Sequence, residues 1–197
     1  MLSIITVPQL RQQWDRYSSD IWGRVHDVSK LLDDLSQELP GIITDSESRS
    51  LAPERFRQLY DVTKIAPLIA ACEKARDAGL AMMGWPDPTY LRAVPEAVDR
   101  PPTASEVSAQ FQTHAEELAS RLYWAAKSID RQILDLPVMT ANVDAETLSW
   151  VADYKRGLFD PAKVEAFVAA LTAARDVALP LIDWTLDGIR TEYEGEG

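Results

Sequence analysis

The sequence predicts an all-α fold: an elongated bundle of four main helices plus one short helix, with a Pro-rich excursion in the middle. Three observations carry that prediction. Leu10, Trp14, Tyr17, Ile21, Val25, Val28, Leu32, Leu35 and Leu39 step by three and four, the spacing that lines one face of an α-helix. Val107, Phe111, His114, Leu118, Leu122, Ala125, Ile129, Ile133 and Leu136 do the same in the second half. No alternating β-branched run and no hairpin turn signal argues for a strand. Each stripe implies a helix of about 30 residues, some 45 Å long at 1.5 Å per residue.

Pro8 and Pro40-Gly41 bracket the first helix, with a bend or break expected at Ser18, Ser19 and Gly23, poor helix formers in its middle. Residues 44–50 read as a polar loop. A second helix is expected to start near Pro53, kink at Pro67 and stop at Gly79. Residues 80–102 hold five of the 12 prolines and form the excursion. Thr103-Ala-Ser-Glu106 is a capping-box pattern opening the second long helix, which Pro137 should close. Asp144 can cap a short helix, with Gly157 as its stop. Asp160-Pro161 opens the last long helix, carrying Val164, Phe167, Leu171, Ala174, Ala178, Leu181 and Ile189, and the acidic tail after Glu192 should fray. The whole, residues 1–197, reads as one helical-bundle domain, organised as two hairpins (1–79 and 103–197) joined by 80–102. Ile65-Ala-Pro67-Leu-Ile69 and Ala178-Leu-Pro180-Leu-Ile182 echo each other, and duplication of a two-helix hairpin or chance would explain it.

Composition bounds the function. The chain is 46% hydrophobic and 26% charged, as soluble globular domains are. No apolar run approaches the ~20 residues of a membrane span, and the first eight residues lack the positive region of a secretory signal. With one cysteine, Cys72, an internal disulfide is excluded. These features point to a cytoplasmic protein. A net charge of −11 argues against direct nucleic-acid binding. Residues 1–100 carry −3 of it and residues 101–197 carry −8, so the second half could face a basic partner.

The chemical motifs are incomplete. His26-Asp27 resembles the His-Asp core of the HD-type phosphohydrolases, but that family needs a histidine upstream, and His26 is the first of only two. Asp33-Asp34 with Glu38 resembles the aspartate-rich helices of isoprenoid enzymes, which hold magnesium with a second acidic cluster; Asp183 and Asp187 are a weak candidate for it. His114 and Glu117 invert the Glu-x-x-His order of carboxylate-bridged metal bundles. Cys72 falls late in its helix, where a thiol is not activated. No Gly-rich phosphate loop, nucleophile elbow or Cys/His metal spacing is present. The sequence thus assigns no catalytic, cofactor-binding or metal-ligating residue and expects no cofactor and no enzyme activity.

The expected function is a non-enzymatic interaction or assembly protein: a scaffold or adaptor in a larger complex, or an acidic inhibitor of a basic partner. Its partners would be another protein or a second copy. The alternative is a bundle that binds a small apolar ligand between its helices. Most of the six tryptophans should pack inward, with one or two left as anchors. Met82, Met83, Trp85, Tyr90 and Leu91, in the excursion, are the expected partner-binding residues.

Overall fold

A computed structural model describes residues 7–42, 49–50, 52–91 and 104–195. Every regular element among them is helical. Helix α1 spans Val7–Ile42, α2 Val62–Met83, α3 Ala104–Thr140, α4 Ala145–Trp150, α5 Pro161–Leu181 and α6 Leu186–Gly195. Two seven-residue 3-10 segments, Glu54–Tyr60 and Asp153–Phe159, lead into α2 and α5. A shorter one covers Pro88–Leu91.

The stripes became the core. Ile21, Val25, Leu32 and Leu39 of α1 and Leu118, Leu122, Ile129 and Leu136 of α3 are all at most 2% exposed. Helix α1 packs along α2, α3 along α5, and α2 and α5 pack against each other between them. One apolar cluster runs through all four.

Local signals placed most helix starts. Asp160 accepts hydrogen bonds from the Ala162 and Lys163 amides with Pro161 in the first turn, and Asp144 accepts from Thr147 at 2.7 Å. The Thr103 cap lies outside the described residues, as do residues 44–48 of the polar loop, whose last two residues, Arg49 and Ser50, are helical. Several boundaries differ from expectation. Helix α1 is continuous through Ser18, Ser19 and Gly23: Ser18 and Ser19 return their hydroxyls to the Asp15 carbonyl, and Ile21, Val25 and Val28 on the same stretch are buried in the core. Pro40 and Pro137 lie inside the last turns of α1 and α3 rather than ending them. A late proline forfeits one donor and leaves the following residues free to stay helical.

Helix α2 starts at Val62 rather than near Pro53, and it passes Gly79 to end at Gly84, whose φ of 72° makes the left-handed C-cap. Gly79 instead serves close packing: a Cβ there would lie 2.0 Å from Ser29 Oγ on α1 and 3.1 Å from the Phe167 ring on α5. At the other end of the chain, the last long helix breaks. Asp183 takes φ 56°, and a turn over residues 182–185 separates α5 from α6. Gly157 does not stop α4, which ends at Trp150; it falls within the second 3-10 segment.

The two halves repeat. Asp61, Lys64, Ala75, Arg76, Asp77, Leu80 and Trp85 recur, at one constant spacing, as Asp160, Lys163, Ala174, Arg175, Asp176, Leu179 and Trp184. On the long helices, Arg24, Lys30, Asp33, Leu39 and Pro40 recur at a second constant spacing as Arg121, Lys127, Asp130, Leu136 and Pro137. Contacts repeat with the residues. Arg76 bonds Asp33 at 2.9 Å and Asp77 at 2.9 Å; Arg175 bonds Asp130 at 2.6 Å and Asp176 at 2.7 Å. Across the molecule the contacts are reciprocal: Arg24 pairs with Asp135 at 3.1 Å, and Arg121 pairs with Glu38, the counterpart of Asp135. Reciprocity of this kind is what a two-fold relation between halves requires. The fold is thus a tandem pair of like units, each a long helix, a 3-10 segment and a shorter helix.

Candidate functional site

The acidic residues that could have held a cation are occupied by the chain's own bases. Asp33, fully buried, takes the Arg76 guanidinium. Asp34 takes Lys30 one turn away, and Glu38 takes Arg121. Burial pushes the Arg76 pKa down, but its bonds to Asp77 and Asp33, and their charges, outweigh it and hold the guanidinium charged. Among the described residues no group of three His, Cys, Asp or Glu is placed to share a metal ion. The His114 side chain lies outside the described residues. Cys72 is 1% exposed, and burial, with Glu73 alongside, pushes its thiol up to about 12, far from a reactive thiolate. His26 lies flat against Trp22, its Nδ1 3.0 Å from Asp27.

The five expected partner residues separate. Met82 and Met83 are 0% and 1% exposed, and Leu91 is 4% exposed; all three belong to the core cluster. Their place at the end of α2 and in the short 3-10 segment Pro88–Leu91, rather than in a patternless loop, takes them off the surface. Trp85 is half-buried, packed against Trp22 and His26. The Tyr90 side chain lies outside the described residues.

Two features that sequence reasoning missed are better placed to meet a partner or ligand. The first is the outer face of α3. Trp124, Leu134 and Val138 are 58%, 49% and 77% exposed, and their spacing puts them on one stripe opposite the core. Lys127 lies over the Trp124 ring at 5.1 Å. The α1 residues at the matching positions of Trp124 and Leu134 are Asp27 and Gln37. Only comparison of the halves exposes this, since each apolar residue alone reads as another member of an amphipathic helix.

The second is a pair of aromatic clusters built by the repeated helix end. After Gly84, the Trp85 amide donates back to Leu80 O at 3.0 Å; after Asp183, the Trp184 amide donates to Leu179 O at 3.1 Å. Each cap therefore folds a tryptophan against the long helix of its own half. Trp85 meets Trp22 at 5.3 Å and His26 at 5.6 Å. Trp184 meets Tyr123, the counterpart of His26, at 4.7 Å. The counterpart of Trp22 is Ala119. There a cleft of about 400 Å³ opens, walled by Phe56, Ala119, Ser120, Tyr123, Ile182 and Trp184. Arg55 and Glu116, 3.4 Å apart, complete its rim.

No helix among the described residues is long and apolar enough to cross a membrane. Comparison with known proteins finds no matching family model, no similar curated protein and no similar solved structure.

Proposed function

We propose that this chain is a protein-interaction or assembly module, acting by binding rather than by chemistry, and that the outer face of α3 is its docking surface. One observation supports the reading: Trp124, Leu134 and Val138 are exposed in a line, while the same fold positions on α1 carry Asp27 and Gln37 at the first two. Single exposed apolar side chains are ordinary on any protein. An exposed tryptophan in a stripe is the composition of an interface anchor. The partner is another protein or a second copy of the chain.

The test transplants the first half's residues into the second. In Trp124→Asp with Leu134→Gln, the melting temperature should stay close to that of the wild type, because surface changes alter stability by about 0.5 kcal/mol or less. Concentration-dependent self-association in sedimentation, or the protein co-purified from the native host, should be lost. A wild-type chain that is monomeric at every concentration and brings down no partner would end the reading.

A further inference from the structure

We propose that the cleft over Ala119 is a binding site for a planar aromatic ring of about the size of indole, carrying a ring N–H. The molecule holds its own template for the complex. In the first half, the Trp22 indole lies parallel to His26, with ring centres 5.2 Å apart and planes 13° apart, and meets Trp85 edge-on at 5.3 Å. In the second half both walls remain aromatic, as Tyr123 and Trp184, and the side chain that filled the space is reduced to Ala119. A ring seated there would lie along Tyr123 and meet the edge of Trp184, the two arrangements aromatic pairs favour.

Two further differences suit the second half to a visiting ring. Phe56, reaching across from the first half, adds an aromatic wall, its face covered by the Arg55 guanidinium at 4.5 Å, where the matching site on α1 has Lys155 from the second half, bonded to Asp15 and Ser19. The Trp22 Nε1 is buried without a hydrogen-bond acceptor among the described residues, and its neighbours in the repeat are Ser19 and Gly23. The matching positions around the open cleft are Glu116 and Ser120, whose oxygens can accept from a ring N–H. A cleft of about 400 Å³ lies at the small end of the ~300–1,000 Å³ typical of ligand sites.

The ring could arrive as a free small molecule or as a tryptophan side chain, and two probes separate these sources. Titration of the full chain with indole, followed by NMR, should give saturable shifts centred on the Trp184 ring N–H and the Tyr123 amide. N-acetyl-tryptophanamide carries the same ring between peptide groups. Matching shifts from it support the side-chain source, and shifts from indole alone support the free molecule.

Ala119→Trp copies the first half and should weaken indole binding by at least about tenfold while keeping a wild-type helical spectrum. If that variant does not fold, Ala119→Leu narrows the same space with less strain. The converse variant, Trp22→Ala, opens the matching site, as engineered cavities accept rings that fit them. Indole should raise its melting temperature more than that of the wild type. Leu134→Gln, about three helical turns along α3 from Tyr123, should leave the shifts unchanged, so this site and the docking face fail independently. Shifts that never saturate, or that persist in Ala119→Trp, would overturn the proposal, as would a Trp22→Ala variant that gains nothing from indole.

Discussion

The first and second halves share a frame and differ in what hangs on it. Both keep an Asp at the start of the shorter helix, an Arg–Asp pair buried against the long helix, and a tryptophan folded back after a left-handed cap. Around that frame the first half closes its surface. Trp22 fills the aromatic cluster, and Asp27 and Gln37 face outward. The second half leaves the corresponding space open over Ala119 and turns Trp124 and Leu134 to solvent. When like units in one chain are compared, the shared residues mark what folding needs, and the departures mark what folding does not explain. Here the unexplained departures gather on α3 and the 3-10 segment beside it.

If the buried pairs are the frame, removing either should be the most damaging single change. Asp33→Ala strands Arg76, whose side chain is 9% exposed, with only the exposed Asp77 among its bonds to carboxylates. Asp130→Ala removes the carboxylate that Arg175 and Arg190 share. Breaking a buried pair by taking out one partner costs about 3–5 kcal/mol. Both variants should fall in that range by chemical denaturation, with Asp130→Ala the worse because two guanidinium groups each lose a bonded carboxylate. A loss below about 1 kcal/mol in either would show that the pair is spectator charge.

The helix crossings sharpen the comparison further. Where α1 meets α2, Ser29 and Gly79 touch; at the matching place between α3 and α5 stand Ala126 and Ala178. The first half thus uses a larger and a smaller side chain, and the second uses two equal ones. The Ser29 hydroxyl is buried with no hydrogen-bond partner among the described residues. Gly79→Ala alone should cost about 1–3 kcal/mol, the usual penalty for overpacking, despite alanine's better helix propensity. Adding Ser29→Ala removes the atom it strikes and should restore most of that loss. The coupling is read from a double-mutant cycle. Independent, additive effects would mean that the contact between the helices is not what keeps Gly79 small.

Part of this was legible in the sequence. The two stripes that declared the long helices are the repeat itself: Leu10, Trp14, Tyr17, Ile21, Val25, Val28, Leu32 and Leu39 sit at one constant spacing from Val107, Phe111, His114, Leu118, Leu122, Ala125, Ile129 and Leu136. The echo around Pro67 and Pro180 pointed to duplication through the wrong register. Pro67 lies near the start of α2 and Pro180 near the end of α5. Caps such as Asp144 and Asp160 were readable because their partners are two or three residues away. Gly79 was misread as a stop because local pattern cannot separate a glycine that ends a helix from one that lets a neighbour approach. Asp33 read as part of an aspartate-rich helix and nothing marked Asp130, since the arginines that bury them come from another helix. The open cleft left no mark on the sequence, because it is defined by an alanine.

The finest difference between the halves is at the caps that place the two tryptophans. Gly84 takes φ 72° and its counterpart Asp183 takes φ 56°, with the same backbone bond closing each turn. A left-handed conformation crowds the Cβ of any residue but glycine, at a cost of about 1 kcal/mol for an ordinary side chain. Aspartate tolerates it better than most. Asp183→Gly should therefore stabilise the chain, but by less than that, because glycine also gives the unfolded chain more freedom to lose. The gain should appear as a small rise in melting temperature with the Tyr123 and Trp184 contact unchanged by NMR. The reverse substitution, Gly84→Asp, should lower the melting temperature by a similar amount and leave Trp85 against Trp22. A destabilised Asp183→Gly would show that the aspartate side chain itself holds the α5–α6 turn, and that the two caps, alike in backbone, are not alike in what keeps them.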